Sequence, residues 1–270
     1  MPSILDADYM VPHIYATGYG ETFATGANAP IRASGIDINS NEKGEFVIKL
    51  KAGETMQDPS ANLKELLAAF IAMELDIPVA APVMVEVTAQ FVETITDKAA
   101  MASAQKSLGF NYGSVYIDGY TTLLLTTVPD KLVPFAQELF AFDMLIQNID
   151  RTKQKPNMLT NGEEIVAIDH EKAFSFIFAL FTPVNIGEIP EHQKDWIRNH
   201  ILYPLVKGKP YVANSFMDKC QKLDNDFWNR AWQLTPDDWK TEHFTTIKDR
   251  ITSFIDNRKA FIKELQIIMS

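Results

Sequence analysis

The chain has 270 residues, 46% of them apolar, which is enough to bury a core as one large domain or as two lobes around a cleft. Its formal net charge of −10 opposes binding to nucleic-acid backbones or anionic membrane surfaces as a primary role, yet leaves room for a small anion held by a few local cations. One cysteine, Cys220, excludes an internal disulfide framework and a cysteine-based zinc site; residues 1–15 lack a secretory pattern and no apolar run is long enough to span a bilayer, so the expected compartment is the cytoplasm.

In chain order, the first feature is Thr25-Gly26-Ala27-Asn28-Ala29-Pro30, a small-residue turn ahead of a strand. Backbone amides at Gly26, Ala27 and Asn28 could cradle phosphate. The turn has neither the G-K-[ST] of a P-loop nor G-x-G-x-x-G spacing, and a plain surface turn is the reading its residues favour. Residues 46–51 read as a strand with Phe46, Ile48 and Leu50 on one face and Val47, Lys49 and Lys51 on the other. By themselves the two lysines read as an exposed strand face.

A helix is predicted over residues 60–75, ending before Ile77-Pro78 because proline disfavours helical geometry in the residue before it. Leu63, Leu66, Leu67, Phe70 and Met73 form its apolar stripe. Glu65 falls on another face with Ala61, Ala68 and Ala72, where small side chains permit close approach and suit pairing with a strand lysine; an ordinary solvated glutamate is the equal alternative. Residues 82–92 and 111–117 read as further strands, so this helix is the one interruption in a β-rich segment.

Beyond residue 120 the pattern turns helical. Phe135, Leu139, Phe142, Leu145 and Ile146 recur at helical spacing after Pro134. Residues 158–160 and 164–168 flank Asn161-Gly162, the signature of a hairpin whose two turn residues take positive φ. The remainder, with Trp196, Trp228, Trp232 and Trp239 as core anchors and an amphipathic stretch over 244–268, reads as packed helices. The expected fold class is α+β, with a β-rich lobe over residues 1–118 and a mainly helical lobe over 119–270.

One segment concentrates chemistry. A helix delivers Asp150 into a loop, Asn157 begins the hairpin's first strand and Asp169 ends its second, so the turn returns the last two to one open end. Phosphoryl transfer needs such a set: a carboxylate that accepts the proton of the attacking hydroxyl, and an amide oxygen with a second carboxylate that hold Mg²⁺ against phosphates. Taken singly, each residue reads better as a loop former or cap. Together and in this order they point to a kinase. The five histidines, His13, His170, His192, His200 and His243, show no metal spacing and are expected to be unrelated or structural, with His170 orienting its loop.

The run Asn148-Ile149-Asp150-Arg151-Thr152, Lys155-Pro156-Asn157-Met158-Leu159 and Ile168-Asp169-His170 resembles the HipA-like kinases, whose pattern is N-x-D-R-T, N-P-N-x-L, I-D-H. The resemblance extends more weakly over residues 20–175. It implies a two-lobed, protein-kinase-like fold using ATP and Mg²⁺, with Asp150 as catalytic base and Asn157 and Asp169 as metal ligands. It further implies that Lys49 pairs with the ATP phosphates, that Glu65 partners Lys49, and that residues 111–119 lead into a hinge beside the adenine. Two residues depart from the pattern near the chemistry: Lys155 replaces Asn, and Glu171 replaces Gly, adding negative charge where phosphates would sit.

The expected activity is therefore ATP-dependent transfer to a protein Ser or Thr hydroxyl, with the protein acceptor implied by the resemblance alone. A lipid or small-molecule acceptor is an alternative within the same enzyme class. A pseudokinase, or a nucleotide-binding module without turnover, is the rival that Glu171 favours. Some relatives work beside a DNA-binding partner protein, a setting the residues here do not reveal.

Overall fold

Burial alternates along β2 (Ile31–Asp37) and β3 (Lys43–Lys49), sending Ile31, Ala33, Phe46 and Ile48 inward as a two-faced strand requires. The computed structural model describes residues 2–23, 29–51, 58, 60–124, 130–178, 189, 194–211 and 213–270. With β1 (His13–Thr22), β4 (Pro82–Val87) and β5 (Gly109–Val115), these strands close a barrel in the order β1-β2-β3-β5-β4. Closure comes from a parallel pairing of His13–Tyr15 with Met84–Glu86; the other neighbours are antiparallel. Two bulges bend β1 toward that closure. Gly113 makes the narrow barrel possible, because a Cβ there would sit 2.6 Å from Val85 Cγ2 and 2.9 Å from the Val47 carbonyl oxygen.

Two helices plug the barrel. The expected strand over 82–92 stops at Val87, and α2 (Ala89–Glu93) begins where Thr88 Oγ1 accepts from the Phe91 amide at 3.2 Å. A second cap, Asp97 Oδ1 accepting from Ala100 N at 2.8 Å, starts α3 (Lys98–Gln105). Phe91, Val92, Ile95, Ala100 and Ala104 join the barrel core. The sequence reading took Phe91 and Val92 for strand and assigned nothing to 93–105; the caps were the signal it passed over. The helix predicted over 60–75 is α1 (Ala61–Glu74), and it is buried on every face rather than along one stripe. Its residues form one continuous core with the C-terminal helices.

The C-terminal part opens with β6 (Thr121–Thr122) and α4 (Val133–Ile146), followed by the hairpin β7 (Met158–Thr160) and β8 (Ile165–Ala167). β6, β7 and β8 make a three-stranded sheet. The turn is longer than predicted. Of its residues only Gly162 has positive φ, at 90°, while Asn161 uses its side chain instead, accepting from the Glu163 and Glu164 amides at 2.9 and 3.0 Å.

Among the described residues, six α-helices follow: α5 (Lys194–Asn199), α6 (Tyr203–Val206), α7 (Ala213–Lys219), α8 (Asn225–Leu234), α9 (His243–Asp256) and α10 (Arg258–Met269). Trp228 and Trp239 are core residues, but Trp232 is exposed, packing edge-on against Phe244 under the Lys240 ammonium. The fold is α+β, an N-terminal five-stranded barrel and a helical C-terminal part. Among the described residues no helix is long and apolar enough to cross a membrane.

Candidate active site

Lys49 is the last residue of β3, and its ammonium reaches out of the barrel to two carboxylates. It pairs with Glu65 of α1 and donates to Asp169 Oδ1 at 2.7 Å. Glu65 spends its second oxygen on the His170 amide at 3.0 Å, so one α1 carboxylate ties the barrel lysine to the segment after β8. Lys51 shares the strand face by count, but the strand has ended. Its ammonium turns to the Leu108 carbonyl at 2.8 Å.

The charges in this cluster support one another. Burial alone would raise the Asp169 carboxyl, but the Lys49 charge and hydrogen bond, with further help from His170 and the Glu171 amide, bring it down to about 2. Burial pushes Glu65 up and the Asp169 charge adds to that, against the pull of Lys49. Lys49 itself is held firmly protonated, because its two carboxylate partners outweigh its own burial.

Main-chain bonds place Asp169. Ala167 N donates to Pro78 O at 2.8 Å, which docks β8 against the chain leaving α1. Ile168 N donates to Asn157 O at 3.0 Å, which keeps Asn157 and Asp169 side by side at the hairpin's open end. Both take left-handed backbone, φ 48° and 59°, a conformation Asn and Asp tolerate better than other non-glycine residues. The Asn157 amide nitrogen is buried with no hydrogen-bond partner.

Asp150 lies in the loop after α4, which ends in a left-handed turn at Gln147. Its side chain is about a quarter exposed, and Lys155 Nζ approaches Oδ2 at 3.3 Å. Gly26, Ala27 and Asn28 fall outside the described residues; on either side of them, the Phe23 amide donates to the Pro30 carbonyl at 2.9 Å.

What the sequence reading missed is the support beneath this loop. Arg151 is fully buried and donates to Asp143 through Nε at 2.6 Å and Nη2 at 3.3 Å. Its Nη1 donates to the Asn157 carbonyl and, at 3.3 Å, to that of Ile168; Nη2 also meets His170 Nε2 at 3.2 Å. One guanidinium thus holds the backbones flanking both candidate metal ligands. His200 Nδ1 accepts from Leu202 N, so its Nε2 carries the proton and donates to Asp143 Oδ2 at 2.9 Å. His170 and His200 are therefore structural and linked to each other, since both face the Asp143–Arg151 pair. Burial, then the Arg151 charge, lowers the His170 imidazole to about 3, leaving a neutral ring that can accept from Arg151. The available signal was Asp143 itself, a charge inside an apolar helix that can be buried only with a partner.

The donor set fits Mg²⁺. Hard cations prefer oxygen, and Asn157 offers an amide oxygen beside the Asp169 carboxylate. Among the described residues no three His, Cys, Asp or Glu side chains form a protein-only cage. A cation here would share its shell with phosphate and water.

A barrel lysine reaching a helix glutamate and a hairpin aspartate is the architecture of a kinase. The chain belongs to the HipA-like kinase family, whose model matches residues 39–259, starting later than the motif resemblance over 20–175 and extending well beyond its C-terminal end. No curated protein matches it in sequence. A solved structure, described as the crystal structure of a Helicobacter pylori proinflammatory kinase CtkA, is similar at 13% identity, covering 95% of this chain and 99% of that one with a TM-score of 0.49.

Proposed function

We propose that the chain transfers the γ-phosphoryl group of Mg-ATP to an alcohol, with a protein Ser or Thr as acceptor and the cytoplasm as its setting. The observation that carries this is Lys49 bridging Glu65 and Asp169, which joins a phosphate-binding cation to a metal-binding carboxylate. Residues 1–118 form the nucleotide-facing lobe and 119–270 the lobe holding the catalytic loop and metal hairpin. Lys49 neutralises phosphate charge, and Glu65 keeps it aimed. Asn157 and Asp169 hold the metal, which when bound draws charge from the phosphates. Asp150 accepts the proton as the hydroxyl oxygen bonds to phosphorus and the bridging oxygen leaves with ADP.

Mass spectrometry after incubation with Mg-ATP, first alone and then with cell lysate, tests transfer before the acceptor is known. Phosphate gained by the chain or by a lysate protein supports the reading. Mg-ATP binding without any transfer would turn it to the pseudokinase, which Glu171 favours, although Lys172 Nζ at 3.2 Å offsets part of that charge.

Lys49→Met is expected to weaken Mg-ATP binding by about 10- to 100-fold, the worth of one charge-assisted phosphate contact of roughly 1.5–3 kcal/mol. Lys51→Met should leave it nearly unchanged, since that ammonium points at Leu108. Calorimetry of the two variants decides. A larger loss from Lys51→Met would move the phosphate contact off Lys49.

Asp169→Ala removes the carboxylate from the metal set, so added Mg²⁺ should no longer raise its ATP affinity. Titrating ATP with and without Mg²⁺ checks this. A variant that still gains as much as the wild type would remove Asp169 from the metal site.

A further inference from the structure

The loop carrying Asp150 also carries a cation that the roles above leave unused. The backbone of Lys155 is fixed without help from its side chain: its amide donates to Thr152 Oγ1 at 3.2 Å, and its carbonyl accepts from the Thr152 amide at 2.9 Å. Pro156 follows, then Asn157. Its ammonium stands 3.3 Å from Asp150 Oδ2, with the side chain 46% exposed. An ion pair this open contributes little to stability and can exchange partners readily. Arg151 is held by Asp143 in full burial and Lys49 by Glu65 and Asp169, so of these three cations Lys155 is the one whose ammonium lies on the Asp150 carboxylate.

Resting on the kinase reading, we propose that Lys155 contacts the terminal phosphate of ATP, its ammonium passing from Asp150 to a γ-phosphate oxygen when nucleotide binds. The placement follows from chemistry at Asp150. A hydroxyl hydrogen-bonded to that carboxylate has the phosphorus it attacks as its next neighbour, so a cation on the same carboxylate is one side-chain rotation from the γ-phosphate oxygens. Charge in the transition state spreads over those oxygens, where a compact ammonium is effective. The move also frees Asp150 to take the acceptor's proton. No proton leaves Lys155 and no bond to it forms. This cation stands where the resembled pattern has asparagine.

The contact would exist with ATP and not with ADP, which allows a test that needs no acceptor. Calorimetry with Mg²⁺ compares ADP with a non-hydrolysable β,γ-imido ATP analogue on wild type, Lys155→Met and Lys155→Arg, with thermal midpoints recorded. The wild type should prefer the ATP analogue. Lys155→Met should lose about tenfold of that preference through the ATP analogue alone, keeping its ADP affinity and midpoint, and Lys155→Arg should keep most of it. A preference unchanged in Lys155→Met, an equal loss for both nucleotides, or no preference in the wild type would each overturn the assignment while nucleotide binding stood. A wild type that binds neither nucleotide would overturn the kinase reading, and this assignment with it.

Discussion

Asp150→Asn should lower phosphoryl transfer by about 10²- to 10⁴-fold, the usual worth of a positioned base, while leaving Mg-ATP affinity within a few-fold of the wild type. Asp150 is not needed for the loop's shape. The turn is made by backbone groups, the Thr152 amide donating to the carbonyls of Asp150 at 3.0 Å and Lys155 at 2.9 Å. Its side chain meets the half-exposed Lys155, so an isosteric amide removes the proton-accepting charge and little else. Single-turnover transfer to the acceptor found by mass spectrometry, set beside calorimetry of Mg-ATP binding, separates chemistry from binding. Retained transfer in Asp150→Asn would return the residue to a loop-shaping role. Should the wild type bind Mg-ATP without transferring it, Glu171→Gly is the change expected to restore turnover.

The largest stability effect is expected at the buried pair. Arg151→Met leaves Asp143 with an uncompensated charge in the core, which costs about 3–5 kcal/mol when one partner of such a pair is removed. In a chain of this size that corresponds to a thermal midpoint roughly 10 °C lower. Asp143 is normally held well below the usual carboxylate range: its burial would raise it, but Arg151 and the His200 hydrogen bond outweigh that effect. The double change Arg151→Met with Asp143→Leu should recover much of the loss, because apolar packing then replaces both charges. Denaturant unfolding of the single and double variants measures this. A single variant destabilised by less than about 1 kcal/mol would mean the pair is not the loop's anchor.

The same cluster gives a pH dependence with a definite sign. Burial chiefly keeps the His200 imidazole below its ordinary value of 6.5, so the unfolded chain takes up that proton first. Stability contributed here is present above 6.5 and falls as the pH drops below it. His200→Gln should flatten that part of the curve.

Local signals in the sequence determined much of the framework. The bounds of α1 were legible because proline at 78 and an apolar run fix a helix within a few residues. The β7–β8 hairpin and the order Asp150, Asn157, Asp169 were legible for the same reason, since turn chemistry and motif spacing act between neighbours. Even Glu65 could be singled out, by falling on a face of small residues. The barrel's first strand was not legible: β1 carries two bulges, and its closing partner β4 lies some 70 residues away, so no short-range alternation marked it. Tertiary structure also chose Lys49 over Lys51 for the Glu65–Asp169 pair, because the strand ends at Lys49 and a period of two cannot register where a strand stops. It alone brought Asp143, Arg151, His170 and His200 together. Burying a charge requires partners from every side, and here they come from a helix, two loops and the chain between two later helices. Only the folded chain could assemble them.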